Sequence, residues 1–336
     1  MKQRIVGVGN PLWDVFAPVS SNPHIAGRFD RGSSNHLSAE EMEEILTRLS
    51  DARWVAGGGA RNSLAVPAAF GYRTYLSGTV GSDGRGFAYR GELSTAGIAD
   101  CLSSADAAPT GTCVTLIHET GEPTVIVAPA AALELLEPAA TAPRDPDVVM
   151  FEGFLAPRAG LAESTVAYVA RAGATFVVDL GHPGVASAAV SVVESAARDL
   201  PGGGEGVLVF GTEAEVAATA AGGNSGDGDA LSRGLARLSA CAGVVVVKRA
   251  ERGAAVYRGG RQTASASPSV ATAPKETVVD TTGAGDVFAG AFLVALLRGI
   301  PDDHACELAD LAAGMSLSNF GGHLRHDQLR ILAREQ

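Results

Sequence analysis

From Asp147 onward, short apolar runs alternate with longer segments whose apolar residues recur every three or four positions. Val148-Val149-Met150-Phe151, Thr175-Phe176-Val177-Val178-Asp179, Gly206-Val207-Leu208-Val209-Phe210 and Val244 to Val247 read as strands. Continuous apolar runs of this length mark strands covered on both faces. Leu161 to Ala172, between the first two, has helical spacing. This alternation predicts an α/β fold with a doubly wound parallel sheet. Arg4 to Gly9 supplies a first strand of the same kind. Ser38-Ala39-Glu40-Glu41 has the pattern of a capping box and opens a helix to about Ser50. A second helix spans Ser63 to Phe70 and ends at Gly71. Thr110 to Val127 has a different texture, with strands Cys113–Ile117 and Thr124–Val127 about a Glu119-Thr120-Gly121-Glu122 turn, which is a hairpin. Residues 15–35 are polar and broken by Pro18, Pro23, Gly27 and Gly32. Pro201 to Gly204 and Gly222 to Gly228 read as surface loops.

One stretch combines a strand end, a turn and a helix. Thr277-Val278-Val279 reads as the end of a buried strand, Gly283-Ala284-Gly285 as a tight turn, and the residues beyond as an apolar helix. Phe288, Ala291, Phe292, Ala295 and Leu296 recur at helical spacing, and Arg298-Gly299 ends the segment. Unpaired N–H groups and the positive end of the helix dipole make such a turn an anion site. Asp286 in the first helical turn is either a helix cap or a base that accepts the proton of a hydroxyl attacking a bound phosphate. The helix dipole is expected to keep it ionised.

Composition narrows the classes. The chain has 336 residues, 46% hydrophobic and 19% charged, with a net charge of -11. That leaves no basic surface for nucleic acid. No apolar run is long enough to span a bilayer, and Met1 to Arg4 leads into the first strand without a cleavage-site pattern. The four cysteines are far apart with no CxxC spacing. Zinc and a disulfide framework are therefore not expected, and a reducing cytoplasm is the default location. Walker A lysine, GxSxG and HExxH motifs are absent from the sequence.

Ligands gather beyond the carboxyl ends of strands in open α/β sheets, which places Asn10 and Asp14 where hydroxyl groups could be received. Gly57-Gly58-Gly59 before a helix lets a substrate approach the backbone, and Asn62 can both donate to and accept from hydroxyls.

The string DTTGAGD ahead of an apolar helix resembles the second signature of the ribokinase family, the PfkB-type sugar and nucleoside kinases. GGGARN resembles the first signature, VGSDGRG the VGxDxxG turn, and GNPLWD and PTGTC the adenosine-kinase-like members. The resemblance implies a ribokinase-like, three-layer, mainly parallel sheet with a small β lid. Residues 1–14, 38–107 and 128–336 would form the large domain, and residues 15–37 and 108–127 the lid that excludes water. It implies that Gly283, Ala284 and Gly285 form the anion hole and Asp286 is the base. Asn10, Asp14, Gly58 and Asn62 would bind the acceptor. Thr212, Lys248, Gly253 and Asn319 would bind the nucleotide. Glu215 would support Mg2+ through water, and Asp280 is a candidate for a monovalent cation such as K+. Two departures fall on the nucleotide side: Thr212 stands for the Asn of NxxE, and Ala250 for the middle Gly of TxGxxG. The implied activity is ATP-dependent phosphorylation of a primary hydroxyl on an adenosine-like ribonucleoside or a sugar. A kinase of a free sugar or sugar-like natural product is the alternative, and a ligand-binding member without turnover a third reading. The implied partner is that small molecule, without nucleic acid or membrane, in a monomer or a homodimer formed through the lid.

Overall fold

The computed structural model describes residues 3–119, 123–134, 137–158, 160–220, 229–266 and 278–335. The chain runs β1 (Arg4–Val8), β2 (Leu12–Pro18), α1 (Pro23–Ala26), β3 (Ser34–His36), α2 (Ala39–Leu46), β4 (Arg53–Gly57), α3 (Gly59–Ala69), β5 (Arg73–Gly81), α4 (Gly84–Thr95) and β6 (Ile98–Ala105). β7 (Gly111–Ile117), β8 (Pro123–Ala128), α5 (Pro138–Thr141), β9 (Val148–Glu152), α6 (Leu161–Ala172), β10 (Thr175–Asp179), α7 (Pro183–Asp199), β11 (Val207–Thr212) and α8 (Glu213–Ala218) follow. The remainder is α9 (Ala230–Ser239), β12 (Val244–Lys248), β13 (Ala254–Arg258), β14 (Arg261–Ala266), α10 (Ala284–Leu297), α11 (Asp302–Ser316) and α12 (His326–Glu335).

The apolar runs assemble into a nine-stranded sheet in the order β14-β13-β12-β11-β10-β9-β1-β5-β6. Pairing is parallel from β12 to β6, and only β13 and β14 run antiparallel. Successive residues along each strand face opposite layers, as the two-residue period requires. Val148 and Met150 join the core containing α3, α10 and α11, while Val149 and Phe151 join the core containing α6 and α7. Helices therefore cover both faces, which makes the three layers.

A second sheet has the order β3-β8-β7-β2-β4. Val15, Val114, Leu116 and Ile126 are buried with Met42 and Ile45 of α2. The capping box expected at Ser38 is present, with the Ser38 N–H donating to Glu41 at 2.9 Å and Glu41 N–H to Ser38 Oγ at 3.2 Å. This sheet also takes in residues 12–14 and β4, which the sequence reading had placed in the large domain. The reason is pairing across long range: β4 lies antiparallel along β2 and satisfies the backbone of its second edge.

A second correction concerns Val278 and Val279. They form no strand, and at 37% and 43% exposure they are not buried. The Val279 N–H donates to the Leu317 carbonyl at 2.7 Å instead. β-branched residues fit a pleated sheet only where a partner strand exists. Thr277 and the Gly222 to Gly228 loop lie outside the described residues, as does part of the Glu119 to Glu122 turn.

α10 is apolar on all sides and buried from Val287 to Ala295, between α3 and α11. It has 14 residues, and among the described residues no helix is long and apolar enough to cross a membrane. It comes close to α3 at Gly290, where a Cβ would stand 2.2 Å from the Ser63 carbonyl oxygen. Helix propensity alone makes Gly→Ala stabilising by about 1 kcal/mol. Here the obstacle is backbone, so overpacking reverses the sign. Gly290→Ala is expected to destabilise by about 1–3 kcal/mol, read as a lower midpoint in urea denaturation.

Candidate active site

Charged side chains stand where the apolar runs of the main sheet end: Glu152 closes β9, Asp179 closes β10 and Lys248 closes β12. The N-terminus of α10 faces the same region. Its turn depends on Gly283, with φ 74°, where a Cβ would lie 2.8 Å from Gly322 Cα and 2.9 Å from Asn62 Nδ2. The N–H groups of Asp286 and Val287 donate to the Gly283 carbonyl at 3.0 and 2.9 Å. Among the described residues no acceptor takes the Gly285 N–H. A Cβ on Gly285 would stand 3.2 Å from Lys248 Nζ, so that ammonium lies against the turn. An open N–H at a helix start beside an ammonium suits a phosphate.

Asp286 reaches across to the start of α3, where Asn62 Nδ2 donates to its Oδ2 at 3.3 Å. In the ligand-free protein the helix dipole does not hold the Asp286 pKa at its ordinary value. Burial raises its pKa well above the usual carboxylate range, Asp179 and Glu152 add to the rise, and Lys248 opposes it. The dipole falls off within a turn and cannot outweigh desolvation among like charges. Burial works against the Lys248 ammonium too, but Asp179 at 2.8 Å, with Glu215 and Asp286, turns the balance and raises its pKa.

On the acceptor side, Asp14 is 6% exposed, and its carboxylate accepts no hydrogen bond from any described residue. Burial first, then Asp280 and Glu152, push it up to about 7 against the pull of Arg61. Burial likewise pushes Glu152 up to about 7, opposed by the N–H groups of Asn10 and Ala60, which donate to it at 3.0 and 3.4 Å. Arg158 Nη2 donates to Asn10 Oδ1 at 3.2 Å, and the Asn10 side chain also hydrogen-bonds Glu152. Gly58, at φ 97°, passes so close that a Cβ would meet the Asn10 carbonyl oxygen at 2.1 Å.

The residues expected on the nucleotide side are more fully engaged within the protein. Thr212 and Glu215 form a reciprocal cap on α8, with the Thr212 N–H on Glu215 Oε2 at 2.7 Å and the Glu215 N–H on Thr212 Oγ1 at 3.3 Å. Ala250, where the resemblance leads one to expect glycine, holds a left-handed φ of 48°, and Gly253 a φ of 74°. Both ends of the Asn319 amide are committed within the C-terminal segment. Its Nδ2 donates to the His323 carbonyl at 2.9 Å and to Gln328 at 3.0 Å, and its Oδ1 accepts from Arg325 at 2.8 Å. Its amide is thus engaged within the C-terminal segment in this conformation. Asp280 is a clamp: Oδ1 accepts from the Thr282 N–H at 3.0 Å and hydroxyl at 2.8 Å, and Oδ2 from the Gly321 N–H at 2.8 Å.

The structure thus brings Asn62, Asp286, Gly285 and Lys248 together, with Asn10 and Asp14 linked to them through Glu152. Glu152, Asp179, Arg158 and Arg61 are absent from the sequence-derived site. The first two carried a signal, a charge directly after an apolar run, which the strand-end rule would have found. Among the described residues no group of three or more His, Cys, Asp or Glu is disposed to hold a metal. Glu215 keeps one carboxylate oxygen outside its cap, and a single carboxylate suits Mg2+ where phosphate and water supply the other oxygens.

A family model described as pfkB family carbohydrate kinase matches residues 32–326. Adenosine kinase 1 of Arabidopsis thaliana is 26% identical over 321 residues, covering 88% of each chain. The structure of adenosine kinase from Sinorhizobium meliloti matches with a TM-score of 0.82 at 24% identity, over 100% of both chains. That of a probable sugar kinase from Rhizobium etli CFN 42 also has a TM-score of 0.82, at 23% identity over 99% of both chains. The fold is ribokinase-like.

Raised carboxylate pKa values make stability depend on pH. Asp14 and Glu152 bind protons more tightly folded than unfolded, so the ligand-free protein loses stability as pH rises from about 4 to about 7 and regains none above that. Asp14→Asn removes one such group. It is expected to raise stability by about 2–4 kcal/mol at about pH 8 and to leave it nearly unchanged at about pH 4. Urea denaturation of parent and variant at both pH values checks this.

Proposed function

Because the chain belongs to the pfkB family of carbohydrate kinases, which use ATP, we propose that it transfers the terminal phosphate of ATP to the primary hydroxyl of an adenosine-like ribonucleoside. In this reading Asp286 is the base, and Gly283, Ala284 and Gly285 form the anion hole. The observation that carries it is the Asn62–Asp286 contact at 3.3 Å beside the open Gly285 N–H and the Lys248 ammonium.

Asp14 is a buried carboxylate lacking donors, and two neighbouring ribose hydroxyls would supply them. Asn10, its oxygen held by Arg158, donates to an acceptor atom of the same molecule. Asn62 orients Asp286 toward the primary hydroxyl. As the new O–P bond forms and the bond to the ADP leaving group breaks, Asp286 takes the hydroxyl proton. Its raised pKa makes it a stronger base than an exposed carboxylate, and Lys248 favours the ionised form it needs at the start. Glu215, through the oxygen its cap leaves free, would hold Mg2+ by way of water, and the ion would supply charge to offset the phosphates. The second sheet carries Asp14 on β2, and its closing would exclude the water that otherwise competes for the phosphate.

Adenosine kinase 1 of Arabidopsis thaliana supports the nucleoside reading, together with the GNPLWD string that holds Asn10 and Asp14. The family description as carbohydrate kinase supports the second reading, a free sugar or sugar-like natural product. An acceptor panel with ATP and mapping of the product decides between them. Phosphate on the primary hydroxyl of adenosine is expected, whereas turnover confined to sugars would transfer the site to the second reading.

Two variants test the roles. Asp286→Asn keeps size and capping ability, so it should fold while turnover falls by about 10²–10⁴-fold. Turnover within about tenfold of the parent would return Asp286 to a helix cap. Asp14→Ala should weaken acceptor binding by about 2–3 kcal/mol, a roughly 30- to 150-fold rise in its KM, with little change in the KM for ATP. A rise confined to ATP would refute this placement.

A further inference from the structure

Behind the Asn62–Asp286 contact, a cavity of about 440 Å³ opens between α3, α4 and the segment from Gly322 to Leu329. Arg61 lies on its floor at 3% exposure. One edge of the guanidinium is occupied, since Nη1 lies 3.0 Å from His323 Nε2 and 3.4 Å from Asn62 Oδ1. The other edge is unpartnered: Nε is buried without a partner, and no described residue accepts from Nη2. No described carboxylate lies within ion-pair distance of this cation. Buried charges are normally paired, because desolvation is otherwise uncompensated. His323 supplies no second positive charge, since burial and Arg61 push it down to about 4.

The Nε and Nη2 edge of a guanidinium matches the two oxygens of a carboxylate side-on. The walls around it are apolar, from Ala65, Val66, Val287, Leu324 and Leu329. Glu92 stands exposed at the mouth and acts electrostatically on Arg61. A single cation facing a nearby carboxylate favours a monoanion over a doubly charged phosphate. We infer that this cavity binds a small monocarboxylate with a short apolar tail, at a site separate from the proposed phosphate turn.

Calorimetric titration of the full chain with sodium butyrate, and separately with inorganic phosphate at matched ionic strength, tests the assignment. Butyrate is expected to bind one site with a Kd on the order of 1 mM, the scale for a ligand of so few atoms. Ala65→Phe fills the cavity from α3, and Thr95→Trp covers it from an exposed rim position where folding is not at stake. Each is expected to weaken butyrate binding at least about tenfold while leaving Arg61 in place. Absence of saturation up to about 20 mM, or binding that survives in Thr95→Trp, overturns the site. Phosphate binding that both substitutions abolish overturns the choice of carboxylate.

Discussion

Carboxylates kept from water govern this molecule. Asp14, Glu152, Asp179 and Asp286 act on one another across a shared interior, and Lys248 is the ammonium that stands with them. Each would be costly alone, and each is tolerated for a different reason. Glu152 accepts two backbone N–H groups and thereby ties the end of β1 to the start of α3. Asp179 is paired with Lys248. Asp286 has an amide donor in Asn62. Asp14 alone has no donor among the described residues, and its cost remains until a ligand supplies one. The gradient from satisfied to unsatisfied acids therefore runs from framework to pocket.

Local patterns were legible in the sequence where local physics decides. The α6 boundaries, Leu161–Ala172, follow from apolar spacing ended by Gly173 in the left-handed region. The parallel sheet follows from valine-rich runs separated by helices. What sequence did not show depends on distant partners. β-branched Val278 and Val279 carry strand propensity but find no strand beside them. Arg53-Trp54-Val55 mixes charge and aromatic character, and only its pairing with β2 makes it β4. The buried Arg61 and the raised pKa of Asp286 depend on elements that meet only after folding.

The nucleotide-side departures acquire physical content here. Ala250 retains the left-handed backbone that its Cβ disfavours, at a cost of roughly 1–2 kcal/mol. The loop shape is thus imposed by its surroundings: Arg249 donates to the Gly253 carbonyl at 2.7 Å, and β13 begins directly beyond. Thr212 replaces an amide with a hydroxyl and still completes the α8 cap.

The contact between Gly283 and Gly322 has a further meaning for the turn it supports. Asp280 fastens the turn's approach to Gly321, Val279 fastens it to Leu317, and Gly283, the residue before the helix, rests against Gly322. A loop held from behind by the C-terminal segment does not have to search for its shape when an anion arrives. Its N–H groups are already oriented, so little reorganisation accompanies charge development beside them. The segment from Leu317 to Gly322 serves, in this sense, as the anvil on which the turn at Gly283 is kept in form.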